Sequence, residues 1–381
     1  MWRGGQSDSS TAAATPLDAK ERLARLRLAR TQRVGPVAYR QLLARFGSAE
    51  AALAALPALS QRGGARAPLK PYAEAQARAE LAAVAGLGGR SFILGDADYP
   101  RLMAAAEDAP PVFHLLGHAH LLARPAVAIV GARNASSNGR RIAADLAREL
   151  AAADLVVVSG MARGIDTAAH QGALEGGTIA VLAGGPDHVY PAENADLYQR
   201  IIGQGAVLSE HPPGTQPTAR HFPRRNRIIS ALALGVVVVE AAMRSGSLIT
   251  ARLAGEQGRE VMAVPGSPLD PRAQGANMLI RDGAMLVQNA ADVIDALAGV
   301  INRAIGEPDL PLFAAAAQPT VEPDEAARQR VLTCLSPTPV AVDAIIRDSG
   351  LGAAMVSAIL LELELAGRVE RASGGRVCQT G

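Results

Sequence analysis

Arg224, Arg225 and Arg227 crowd into four positions of the stretch HFPRRNRIIS, His221 to Ser230. Pro223 suits the first position of a helix, and Ile228, Ile229, Leu232 and Leu234 supply an apolar stripe, so the spacing predicts a helix with cations in its first turn. A helix start already carries unpaired N–H groups and roughly half a positive charge, and each added cation costs about 0.3–1 kcal/mol at a surface. A bound anion would turn that cost into affinity. Arg220, His221 and Phe222 lead into the cluster and His211 precedes it, so the anion expected is a polymer's phosphates, with Phe222 as a stacking face. The competing, purely structural role is for the arginines to lie over the sheet edge or to pair with Glu210 and Glu240.

Other glycine-rich and serine-rich turns carry related chemistry. In GARNASSNGRRIA, Gly131 permits a tight turn, Ser136, Ser137 and Asn138 can cap the following helix, and Arg133 can reach a phosphate. The turn is neither a dinucleotide fingerprint nor a P-loop. In SGMARGIDTAAH, Arg163 is a further cation, and Asp166 and His170 stand one helical turn apart. No second ligand pair accompanies them, so Asp166 is assigned to an N-cap and His170 to packing, and no metal or cofactor is expected. AGGPDHVYPAEN supplies a Gly-Gly turn, then Tyr190 and Pro191. EAAMRSGSLITARLAGE places Ser245, Gly246, Ser247 and Thr250 at a helix start, a second anion-seeking turn.

These turns must be positioned by a scaffold, and the sequence supplies one. Between Pro125 and Leu297 short apolar runs (AVAIVG, LVVVSG, TIAVLAG, AVLSE, GVVVVEA, VMAVPG, AMLVQ) alternate with helical segments. Strands buried on both faces and separated by helices argue a doubly wound α/β domain with a parallel sheet, whose ligands bind at the carboxyl ends of the strands. Ala19 to Ala85 reads as helical throughout. AIGEPDLPLFAAAAQPTVEPDEA reads as a linker, and the tail as helices followed by a hairpin turned by Ser-Gly-Gly, a winged-helix pattern.

Composition sets outer limits. The 381 residues are 49% hydrophobic, enough for a sizeable core, and 38 Lys plus Arg against 36 Asp plus Glu leave a net charge of +2, so any basic surface must arise by clustering. Cys334 and Cys378 are too few for a disulfide framework or a four-thiolate zinc site. With no signal-peptide core and no run near the ~20 apolar residues of a membrane span, a cytoplasmic chain without membrane contact is expected.

In order, the segments VGARNASSNGRRIA, SGMARGIDTAAHQGALEGGTIAVLAGGPDHVYPAENADL, SEHPPGTQPTARHFPRRNRIIS, VVVVEAAMRSGSLITARLAGEQGREVMAVPGS and GANMLIRDGAMLV resemble the DprA/Smf family of DNA-processing proteins, over about Asp96 to Asn289. The resemblance implies an extended Rossmann-like domain that binds and protects single-stranded DNA, helps load the recombinase RecA during natural transformation or recombination, forms a homodimer through that domain, and performs no established catalytic step. Carried over residue by residue, it places Arg133, Arg163, Arg220, Phe222, Arg224, Arg225, Asn226 and Arg227 in the DNA pocket. Ser245, Gly246, Ser247 and Thr250 fall in the adjoining phosphate-facing turn, and Gly131 and Ser136, read from their own turn, join them as anion-binding candidates.

The expected organisation is a disordered tail (1–18), an N-terminal helical domain of SAM or helix-hairpin-helix type (19–95), the Rossmann-like domain (96–303), a Pro/Ala-rich linker (304–324) and a winged-helix-like domain (325–381). The third helix of the last carries Glu362 and Glu364 and few cations, which argues against groove reading. Two other functions compete. A nucleotide phosphoribohydrolase of the lysine-decarboxylase-like Rossmann group would need Glu256 as its acid, without that group's Pro-Gly-Gly loop. A transcription factor would need the winged helix to read duplex DNA.

Overall fold

The structure, a computed structural model, describes residues 17–306, 322–372 and 374–380. Most of the expected tail and linker lie outside the described residues. The chain opens with α1 (Ala19–Arg30), α2 (Pro36–Phe46), α3 (Ala49–Arg62) and α4 (Glu74–Gly86). Local signals set their ends: Asp18 and Ser48 cap α1 and α3 by accepting the Glu21 and Ala51 N–H groups, and Pro36 takes the first position of α2.

β1 (Arg90–Ile93), α5 (Arg101–Ala104) and β2 (Val112–Gly117) follow. β1 pairs antiparallel with β2, so the sheet opens ahead of the boundary expected at residue 96. The strand is four residues long and follows a helix directly, too little pattern to separate it from the helical domain by sequence. The doubly wound core is then β3 (Ala126–Gly131), α6 (Ser137–Ala152), β4 (Val156–Ser159), α7 (Ile165–Ala173), β5 (Thr178–Val181), α8 (Ala195–Gln204), β6 (Ala206–Ser209), α9 (His221–Leu232), β7 (Gly235–Val239), α10 (Gly246–Glu256), β8 (Glu260–Ala263), α11 (Gln274–Arg281), β9 (Met285–Leu286) and α12 (Ala290–Gly306). The nine-stranded order is β1-β2-β6-β5-β4-β3-β7-β8-β9, parallel from β6 to β9, and the sequence order of the strands turns about between β3 and β7, which are themselves parallel.

Alternation along the strands divides the interior. Ala128, Val130, Val156, Val158, Val236 and Val238 face a core shared with α9, α10 and the N-terminal helices, whereas Val127, Ile129, Val157, Val237 and Val239 face α6, α7 and α12.

The tail forms α13 (Glu325–Thr333), β10 (Val340–Ala341), α14 (Val342–Ser349), α15 (Ala353–Ala366), β11 (Val369–Ala372) and β12 (Arg376–Gln379), with a three-stranded sheet β10-β12-β11. It is the winged-helix arrangement expected, with its own core around Val331, Ile345, Val356, Ile359 and Leu363. α15 has a second buried face. Leu361 and Leu365 join the core of the N-terminal helices, Arg33 donates to the Ala366 carbonyl at 3.0 Å, and Glu362 is wholly buried against Arg328 at 2.9 Å. The acids that argued against groove reading pair within the winged-helix domain, Glu362 with Arg328 of α13 and Glu364 with Arg371 of β11 at 2.8 Å. Among the described residues no single helix is long and apolar enough to cross a membrane.

Candidate nucleic-acid interface

The loops after β3, β4 and β5 meet the start of α9 around a cavity of about 310 Å³. Its floor is Arg225. The guanidinium is buried, donates through Nη1 to the Gly160 and Val181 carbonyls, and reaches Asn226 Oδ1 at 3.2 Å. A Cβ at Gly160 would stand 2.5–2.7 Å from guanidinium atoms, so that position must be glycine for Arg225 to sit there. Burial and the nearby positive charge of Arg133 pull the Arg225 pKa down to about 10, against the opposing influence of Asp166. Asp166 shares Gly160 with it, accepting the Gly160 N–H while Arg225 donates to the Gly160 carbonyl. Such a buried cation favours an incoming anion.

The walls are aromatic and cationic. Tyr190, 51% exposed, meets Phe222 edge-on at 5.4 Å, and the Arg133 guanidinium lies 5.4 Å from the Phe222 ring centre. Arg163 occupies the opposite rim and is paired with Glu193, both well exposed. Arg220 and Arg224 are exposed at the start of α9, Arg224 within 3.8 Å of Glu370 on β11. Asn226 turns toward α10 and donates to the Gly246 carbonyl at 3.2 Å.

Several expectations about these residues change. α9 begins at His221, with Arg220 at its N-cap, because His221 N–H closes a turn on the Thr218 carbonyl at 2.9 Å. Pro223 is therefore at the third helical position and only Arg224 of the three arginines lies in the first turn. The dipole conflict, which fades beyond one turn, is smaller than the sequence suggested. Arg227 points away from the cavity, bound to the Glu210 carboxylate and the Asp108 carbonyl. It is withdrawn from any ligand in this structure, and the structural pairing with Glu210 is the one realised.

The two anion-seeking turns are also largely filled. Ser136 caps α6, but its N–H and hydroxyl are both taken by the Glu240 carboxylate, and a Cβ at Gly131 would run into the Val239 carbonyl. Gly131 is thus fixed by strand packing and Ser136 has no donor to spare. Ser245 caps α10, sharing a 2.7 Å hydroxyl contact with Ser247, while Ser247 and Thr250 are buried; Gly246 alone of that turn is fully open. Asp166 is not the N-cap, which is Gly164, but sits at the second position of α7, its carboxylate accepting from Gly160 and Ala162 N–H groups. Burial raises its pKa. His170 is buried on Thr178 at 2.7 Å, and burial pushes its pKa down to about 3, so it is a neutral packing residue as expected.

Glu256 lies in the last turn of α10, paired with Arg252 at 3.6 Å, at the end opposite the cavity. Glu256, the acid that a phosphoribohydrolase reading would use, therefore does not line the cavity. Groove reading by α15 is blocked by its contact with the N-terminal domain. Tyr190 and Glu240 hold larger places in the structure than their sequence pattern indicated, Tyr190 on the cavity wall and Glu240 in the turn before α6. An aromatic after a Gly-Gly strand end and an acid closing an all-valine strand were the signals available.

Fold and site together define an extended Rossmann-like protein with a cationic, aromatic-walled crevice at its strand ends. The family description DNA recombination-mediator protein A matches residues 90–298, a DprA-like N-terminal HHH domain matches 19–83, and a DprA winged helix domain matches 315–375. DNA processing protein DprA of Streptococcus pneumoniae is 47% identical over 206 residues, covering 54% of this chain and 73% of that protein. Protein Smf of Escherichia coli is 39% identical over 282 residues, covering 73% and 74%. The solved S. pneumoniae DprA structure superposes with a TM-score of 0.61 at 35% identity, covering 74% of this chain and 98% of that one. DNA processing protein A of Helicobacter pylori, described for its single-stranded DNA binding mode, gives 0.51 at 30% identity, covering 56% and 96%. The chain belongs to the DprA/Smf family of DNA-processing, recombination-mediator proteins.

Proposed function

We propose that this chain binds single-stranded DNA in the crevice of Arg133, Arg163, Tyr190, Phe222 and Arg225, protects the strand, and promotes loading of RecA onto it in transformation or recombination. The observation that carries the reading is the pairing of the exposed Tyr190 with the half-buried Phe222 beside the buried Arg225 guanidinium. A base face can stack on the aromatic wall only when it is free of its complement, while Arg220, Arg224 and Arg163 serve the phosphates on either side. The H. pylori relative's single-strand binding supports the same assignment. Action is by binding and not catalysis, in the cytoplasm. A homodimer is supported by the apolar pair Met285 and Leu286 on β9, which ends the sheet beside β8 among the described residues and leaves them 47% and 45% exposed.

Fluorescence anisotropy with a thymidine oligomer tests the site across a salt series. Phe222→Ala should weaken binding by about 1–3 kcal/mol with an unchanged salt slope, as expected for loss of one stacked base. Arg224→Ala should instead lower the slope of log K against log salt by ~0.7. If both variants bind like the wild type, or duplex binds as tightly as single strand, the crevice is not the site.

A further inference from the structure

The turn between β3 and α6 lies where the strand order reverses, the place in an open α/β sheet where a ligand's phosphate meets a helix start. Here the chain itself fills that place. Glu240 follows β7 with φ +52°, a left-handed backbone that residues bearing a Cβ adopt at a cost. Its carboxylate enters the turn, one oxygen accepting Ser136 N–H at 2.8 Å and the other accepting the Ser136 hydroxyl. A Cβ at residue 139 would stand 2.5–2.7 Å from the carboxyl carbon and both oxygens, so Gly139 leaves the room that the carboxylate occupies. Arg272, in the loop after β8, is held by Asp270 at 2.9 Å and feels the Glu240 charge as a lesser influence. An anion of fixed position, held by a main-chain donor and a hydroxyl, thus already sits where a free phosphate would go.

We propose that Glu240 is a specificity-determining residue, an internal anion that keeps inorganic phosphate and nucleoside monophosphates out of the switch point and leaves the neighbouring crevice to a polymer. It works by occupancy and by like-charge repulsion, which is strongest in a poorly solvated turn. The exclusion half stands on the Glu240 geometry alone; only the polymer half rests on the single-strand reading.

Glu240→Gly removes the carboxylate and accepts φ +52° without strain, and Glu240→Ala serves as a second variant of the full chain. Thermal unfolding is followed against inorganic phosphate and against AMP, with chloride at equal ionic strength as reference. With the crevice filled by excess thymidine oligomer in every sample, neither ligand should move the wild-type midpoint more than chloride does. In the variants both should raise it saturably, with an apparent affinity at least about tenfold above any wild-type response. A folded Glu240→Gly protein that gains no phosphate response overturns the proposal, and so does saturable protection of the wild type, which is readable even if both variants fail to fold. Oligonucleotide binding by the wild type is the separate arm. Failure of the wild type to bind an oligomer sinks the single-strand reading without touching the phosphate result.

Discussion

Arg225 and Arg227 are two positions apart on α9, and at about 100° per residue their side chains leave the helix in nearly opposite directions. Arg225 forms the floor of the crevice, whereas Arg227 holds Glu210 and the Asp108 carbonyl beneath it. The Arg227 and Glu210 side chains are 12% and 15% exposed, so removing one partner leaves a poorly solvated charge. Arg227→Ala should therefore destabilise the fold by about 3 kcal/mol, read as a lower urea midpoint, while the salt slope of oligonucleotide binding in the folded protein stays at the wild-type value. A drop in slope with unchanged stability would return Arg227 to the phosphate contacts. The sequence could show that the arginines clustered but not which way each pointed. That depended on the helix starting at His221, two residues before the proline that seemed to mark it.

Whole elements were more legible than their partners. The apolar runs announced β3 to β9 and the helices between them because strands buried on both faces leave a continuous signal, and the three-part division of the chain followed from composition. Tertiary fillers left no such signal. Glu240 closes a strand in sequence and a helix start in space, and no periodicity connects it to Ser136. The second face of α15 was likewise hidden, since Leu361 and Leu365 read as ordinary members of an apolar helix. Its contact with α3 is close enough to test. A Cβ at Gly63 would run into the Glu362 carbonyl and would also stand 2.9 Å from the Ala366 methyl. Gly63→Ala should loosen the winged-helix domain, costing about 1–3 kcal/mol and raising the rate of proteolysis in the 304–324 segment. Oligonucleotide affinity at the crevice should persist. Unaltered proteolysis and stability would mean that α15 does not dock on α3 as described.

The domains are joined across the whole molecule by buried polar groups as well as by a shared core, and this sets a pH dependence. Arg30 of α1 and Glu80 of α4 reach His114 of β2, whose other ring nitrogen meets Ser91 of β1 at 2.9 Å. Burial lowers the His114 pKa; burial would raise that of Glu80, but hydrogen bonds from His114 and Arg30 outweigh it and lower it. His170 is pushed by burial from 6.5 to about 3 and His211 to about 4. For each depressed histidine the unfolded chain takes up its proton near pH 6.5, while the folded protein does so at a lower pH, about 3 for His170 and about 4 for His211. The stabilisation is thus complete above pH 6.5 and is lost as pH falls toward the folded pKa, and Glu80 adds a loss of the same sign at lower pH. His170, wholly buried, should alone contribute a slope of about 1.4 kcal/mol per pH unit below 6.5. Urea midpoints at pH 7.5, 6.0 and 5.0 should fall progressively, and His170→Gln should fall less steeply over the same interval whatever its stability at pH 7.5. Parallel decline in the two proteins would locate the acid sensitivity in the other buried histidines, and an absence of decline in both would mean that none of them is held neutral by the fold.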